Sequence, residues 1–139
     1  MKRPDRRMAG LGRAVLRLVP VTLVTGTLFF LSHQEGTSLP LPFLPGMDKV
    51  IHAGAYAVLA ASALFVFPAA FRGQRPKTAA LLAFVYCLLF GLSDEYHQSF
   101  ITSRFPSGWD FAADLAGSLA LVLAWLHFTT AGKRKARVR

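Results

Sequence analysis

The sequence predicts an all-α membrane protein: a bundle of four transmembrane helices with both termini in the cytoplasm. Three observations predict it. The chain is 53% hydrophobic, with a mean hydropathy of +0.41, too apolar for a typical soluble domain that must also supply a polar surface. Four apolar runs are separated by short polar breaks. The basic residues cluster at every second break, as expected when Lys and Arg resist translocation and stay cytoplasmic.

The first run is Ala14–Leu31, where Arg17 can extend its head toward the cytoplasmic headgroups. A basic flank and an apolar core also suit a signal peptide. However, the core exceeds the usual length of about 7–15 residues and no A-x-A-like site follows, so a span is expected. The second run is Val50–Phe71, the third Thr78–Leu92 and the fourth Phe111–Phe128. These approach the roughly 17–25 residues that a spanning helix needs; Ser93–Gln98 keep helical spacing and lengthen the third. Residues 1–13 form a basic cytoplasmic segment, 14–128 the transmembrane domain and 129–139 a basic cytoplasmic tail.

Charge placement supports this order. Lys2, Arg3, Arg6, Arg7, Arg13 and Arg17 precede or open the first run, Arg72, Arg75 and Lys77 follow the second, and Lys133, Arg134, Lys135, Arg137 and Arg139 close the chain. Only Lys49 and Arg104 fall elsewhere, whereas every acid but Asp5 falls in the alternate segments. With 16 Lys and Arg against 7 Asp and Glu, nucleic-acid binding is the competing explanation. It would interleave basic residues with aromatics on a folded face, and no cluster does so.

The connections follow from proline and glycine. Ser32–Lys49 is an outer loop, broken by Pro40, Pro42, Pro45 and Gly46. Arg72–Lys77 is a tight inner turn that makes the second and third spans antiparallel neighbours. Ser99–Trp109 is a second outer loop, broken by Pro106 and Gly108. Ala112, Ala116, Ala120 and Ala124 form a smooth ridge suited to close helix packing, within the chain or against a second copy, so a homo-oligomer is one expectation. Ala53, Ala57 and Ala60 give the second span a similar face. Cys87 stands alone and is expected to be a small buried hydrophobe.

This topology gathers the unusual polar residues at the outer face. Asp48, His52 and Tyr56 make one stripe on the second span, beside Lys49. Gly91, Glu95 and Gln98 share a face of the third, flanked by Asp94 and His97. Asp110, Asp114 and Gly117 line the fourth. Asp48 and Asp110 also suit helix capping, and His33 and Glu35 suit a solvated loop. Asp114 lies one turn inside its span, where a lipid-facing carboxylate costs up to roughly 3 kcal/mol at the bilayer centre. It is therefore expected to face the bundle, as are His52 and Glu95.

Three uses of these residues stay open. Glu95, Asp110 or Asp114 with His52 are candidates for acid–base chemistry on a lipid headgroup. Asp48, Lys49, Tyr56, Asp94, His97, Gln98 and Arg104 are candidates for binding an anionic lipid or lipid-linked component. The acids and cations could also form only a structural ion-pair network. Carboxylates with histidine could hold a divalent metal, but no recognisable ligand spacing occurs, so no cofactor is expected.

The order Asp48-Lys49-x-x-His52, Glu95-x-x-Gln98, Arg104, then Asp110-x-x-x-Asp114-x-x-Gly117 resembles the VanZ-like family of bacterial integral membrane proteins. Ser93–Gln98 is similar to the DExHQ string of one branch. The resemblance runs from about Ser32 to Gly117. It implies an α-helical domain in the cytoplasmic membrane and a link to the cell envelope, the founding member being associated with low-level teicoplanin resistance. Most members have no established activity. Two positions depart from the pattern: many members carry Asn where this chain has Asp114, and Gly where it has Ser103.

Overall fold

A computed structural model describes residues 6–34, 45–102 and 104–137. Lys2, Arg3, Asp5, Glu35, Pro40, Pro42, Ser103 and Arg139 lie outside the described residues. The described elements are all helices: α1 (Arg6–Ser32), α2 (Met47–Val66), α3 (Ala69–Gln74), α4 (Pro76–Gln98) and α5 (Gly108–Arg137). Four of them, α1, α2, α4 and α5, are long and apolar enough to cross a membrane, because in hydrocarbon a helix satisfies its own backbone polar groups.

The second apolar run is not one helix. The sequence carries it to Phe71, but α2 stops at Val66, because Pro68 lacks a donor and its ring would clash with the Leu64 carbonyl. Phe67 N–H instead closes the end on Leu64 O at 3.3 Å. The short α3 then takes the first half of the expected tight turn, through Gln74. Pro76 opens α4 at a first-turn position that needs no N–H. The fourth span also extends further than expected, since α5 continues past Phe128 to Arg137 and takes basic tail residues into the helix.

The centre of the bundle is α2, which packs most extensively on α5 and also meets α1 and α4. Leu59, Ala60, Ala63 and Leu64 of α2 are buried, together with Ala79, Ala80, Ala83 and Cys87 of α4. Small side chains at these positions bring the backbones close, which lipid-embedded helices need because hydrophobic burial does not drive them together. The closest approach is at Gly117. A Cβ built there would lie 1.9 Å from the Ala53 carbonyl oxygen, so only glycine fits.

The alanine ridge of the fourth span does not make this contact. Ala112, Ala116, Ala120 and Ala124 are all exposed. The packed face of α5 is Asp114, Gly117, Ser118 and Val122, centred on the other side of the helix, with Gly117 at its edge nearest the ridge. Periodicity found a stripe of small residues but not the one used. The expected face on α2 is used: Ala60 is fully buried, and Ala53 is the residue that Gly117 meets.

Helix α1 is peripheral. It touches the others through Val21, a Thr25–Tyr86 hydroxyl pair at 2.7 Å and contacts at its C-terminal end. Most of its large apolar side chains, including Leu16, Leu23 and Phe30, are exposed, as suits a lipid-facing helix. At the opposite end of the bundle, Lys133 Nζ of α5 donates to Gly73 O of α3. This brings two basic stretches to one end, away from the polar residues described next.

Candidate functional site

The C-terminal ends of α1 and α4 and the N-terminal ends of α2 and α5 meet at one end of the bundle, and the sequence-predicted polar residues meet there too. Three polar groupings result.

The first joins α2 to α5 at the rim. Lys49 Nζ donates to Asp48 Oδ2 at 2.7 Å and also to Asp110 Oδ1. Neither acid caps its own helix through its side chain. The residue before α2 is Gly46, in the left-handed region at φ 81°, with no side-chain cap; such a conformation suits glycine. At α5 the cap is Ser107, whose Oγ accepts from the Asp110 N–H at 3.3 Å, an N-cap arrangement.

The second lies one turn deeper. His52 Nδ1 is 3.0 Å from Asp114 Oδ1. Asp114 is 1% exposed, so it faces the bundle as expected, and α2 supplies its partner. The side chains meet because Gly117, one turn further along α5, lets α5 approach Ala53 of α2, the neighbour of His52. Buried acids need such a partner, and removing it strands the carboxyl in a low-dielectric setting.

The third is on α4. Asp94 and Gln98 are buried, with Gln98 Nε2 donating to Asp94 Oδ2 at 3.0 Å. Gly91 is buried on the same side, its open position filled by the Phe111 ring at 3.2 Å and the Tyr56 ring at 3.4 Å. The inward stripe is therefore Gly91, Asp94 and Gln98. Glu95, which the sequence placed on it, turns toward α5, where Oε2 accepts the Ser107 N–H at 2.8 Å. It holds the loop that starts α5.

Two residues take roles that sequence reasoning missed. Arg104 pairs with no carboxylate within salt-bridge distance among the described residues. Its Nε donates to Gln34 O at 3.0 Å and its Nη2 to Leu31 O at 3.1 Å, closing the C-terminal end of α1, where carbonyls lack intrahelical partners. His97 meets His33 of α1, with Nε2 and Nδ1 3.1 Å apart, and both rings pack with Phe29. No spacing rule connects an arginine to carbonyls some seventy positions earlier. Ser107 had a local signal, since Ser-x-x-Asp before an apolar run is a capping pattern.

Between these groupings lies a cavity of about 220 Å³. Its apolar lining residues are Leu28, Leu31, Ile51 and Ala55, and its polar ones Ser32, Asp48, His52, Tyr56, Asp94, Gln98 and Arg104. Three of these lining residues carry a buried polar atom with no hydrogen-bond partner among the described residues: Ser32 Oγ, Tyr56 OH and Asp94 Oδ1. They belong to residues 5%, 3% and 8% exposed and come from α1, α2 and α4. Buried polar groups are normally satisfied, so three orphans on residues lining one cavity mark a place built for something polar.

The polar cluster thus divides. His52 and Tyr56 share the cavity with Asp48, Asp94, Gln98 and Arg104, whereas Lys49, Glu95, His97, Asp110 and Asp114 are not part of its lining. No group of three or more His, Cys, Asp or Glu converges in a metal-holding arrangement among the described residues. Comparison of the chain with models of known families, with curated proteins and with solved structures gives no match.

Proposed function

We propose that this is a VanZ-like protein of the bacterial cytoplasmic membrane whose cavity binds the polar head of an envelope lipid or lipid-linked cell-wall component. The charge distribution along the chain supports an orientation with both termini inside and the cavity facing the extracytoplasmic side. The observation that carries the binding function is the cavity itself, lined by both polar and apolar residues at one end of a bundle that includes four helices long and apolar enough to span. Its 220 Å³ is below the roughly 300–1,000 Å³ of sites for drug-sized ligands. It suits a headgroup, with the acyl chains left in the bilayer.

The cations bear on which head enters. Lys49 is held between two aspartates and His52 faces Asp114. Arg104 lines the cavity and keeps N–H donors beyond the two given to α1, so it is the group that receives an anion such as a phosphate. The test is mass spectrometry of lipids retained by the purified protein. Wild type should carry a lipid that Arg104→Gln loses, and equal lipid content in the two would sink the proposal.

One observation favours a second, enzymatic reading. An imidazole that lines a cavity and whose Nδ1 is engaged by a buried carboxyl is arranged as a general base, the other ring nitrogen being free to take a proton. Glu95 and Asp110 are committed to Ser107 and Lys49, which leaves His52 and Asp114 as the pair able to act. Incubating the protein with a broad panel of envelope lipids should then give a hydrolysed or transferred headgroup that Asp114→Asn abolishes. Intact lipids throughout would remove this reading and leave binding.

A further inference from the structure

The three unpartnered atoms specify the chemistry of the head more closely than the cavity does. Asp94, which lines the cavity, uses Oδ2 to accept from Gln98, leaving Oδ1 buried with no hydrogen-bond partner among the described residues. The other acid of the lining, Asp48, is already matched by Lys49. Asp94 Oδ1 is therefore the charged-group atom of these lining residues that most lacks a partner, and a carboxylate oxygen asks for a donor. Tyr56 and Ser32, whose buried hydroxyls can also accept, line the same cavity. Each of these three acceptors comes from a different helix. A primary ammonium carries three N–H donors and, being positive, also meets the carboxylate by charge.

We propose that the cavity recognises a primary amine joined to a phosphate, as in an ethanolamine phospholipid head, with the ammonium on Asp94, Tyr56 and Ser32 and the phosphate on Arg104. The proposal rests on the headgroup-binding reading and adds the amine to it. It accounts for an acid and a cation lining one cavity: a zwitterionic head needs both, whereas a purely anionic head leaves Asp94 Oδ1 unmatched and opposed by like charge.

The test uses the full-length protein in detergent micelles and four phospholipids with identical acyl chains, their binding measured by native mass spectrometry. Phosphatidylethanolamine has a charged donor, phosphatidylcholine a charge without N–H donors, phosphatidylglycerol hydroxyl donors without positive charge, and phosphatidylmethanol neither. Phosphatidylethanolamine is expected to bind about tenfold or more tightly than the other three, the scale of a charge-assisted hydrogen bond. Asp94→Asn should bring its affinity to within a few-fold of theirs. If Asp94→Asn does not fold, the wild-type ranking and a weakened preference in Tyr56→Phe carry the same test. Equal binding of ethanolamine and choline lipids, tightest binding of the glycerol lipid, or a preference unchanged in the folded variants would overturn the amine assignment. In those cases headgroup binding still stands. Binding of none of the four removes both.

Discussion

Replacing Gly117 by alanine probes the contact on which the site depends. The added Cβ would sit 1.9 Å from the Ala53 carbonyl oxygen, 2.5 Å from its carbon and 2.6 Å from its Cα. It falls short of the 3.4 Å where ordinary contact begins by about 1.5 Å. The obstacle is backbone, so no rotamer change relieves it and α2 and α5 must separate. Overpacking costs typically about 1–3 kcal/mol, and a backbone clash belongs at the upper end. Separation of that size also stretches the 3.0 Å His52–Asp114 contact beyond hydrogen-bond range. An unsatisfied buried group then adds about 1–3 kcal/mol. Alanine's better helix propensity returns about 1 kcal/mol, so the net loss is about 3–5 kcal/mol. Gly54→Ala, on α2 with nothing within 4 Å, should be neutral or mildly stabilising. Gly91→Ala meets the movable Phe111 ring at 3.2 Å and should fall between them. Reversible unfolding in mixed micelles, followed by far-UV circular dichroism, gives the three values. Unfolding of Gly117→Ala at the same midpoint as Gly54→Ala would refute the close approach.

Other substitutions test the remaining contacts. His52→Ala leaves Asp114 buried without its partner and should cost about 3–5 kcal/mol, whereas His52→Leu with Asp114→Leu should recover most of that loss in the same unfolding assay. Ser107→Ala removes the cap of α5 and should cost about 1 kcal/mol. Glu95→Gln keeps an acceptor for the Ser107 N–H and should cost less than Glu95→Ala, so the pair separates hydrogen bonding from charge. Arg104→Ala should free the C-terminal end of α1: amide hydrogen exchange at Leu31–Gln34 should speed up while α2 and α5 stay protected.

The four spanning-length helices were legible because lipid imposes simple rules: length and apolar content carry them in the sequence. The break after Val66 was missed, although Pro68, three residues before the end of the second apolar run, marks it. The choice among helix faces was harder to read. Four alanines at regular spacing on α5 look like a packing stripe, yet the contact is made by Gly117, whose single hydrogen matters only against the Ala53 carbonyl of another helix. The site divides in the same way. Asp114 and His52 could be assigned to the interior from the cost of exposing an acid to lipid. Arg104 could not be assigned to the end of α1, nor Glu95 to the Ser107 amide, because those bonds run to backbone groups that carry no mark in the sequence. The cavity was also beyond reach, since it is the space that α1, α2 and α4 leave between them.

The central claim is that this cavity holds a lipid head, and filling it is the most direct test. Ala55 is one of its apolar lining residues, so Ala55→Leu places added methyl groups in the cavity rather than in a packed interface. Mass spectrometry of protein extracted from the same membranes compares the lipid retained by the two forms. The account predicts that wild type carries a stoichiometric phospholipid, that Ala55→Leu carries little of it, and that both unfold at similar midpoints. Equal retention in the two forms, with the variant folded, would contradict it.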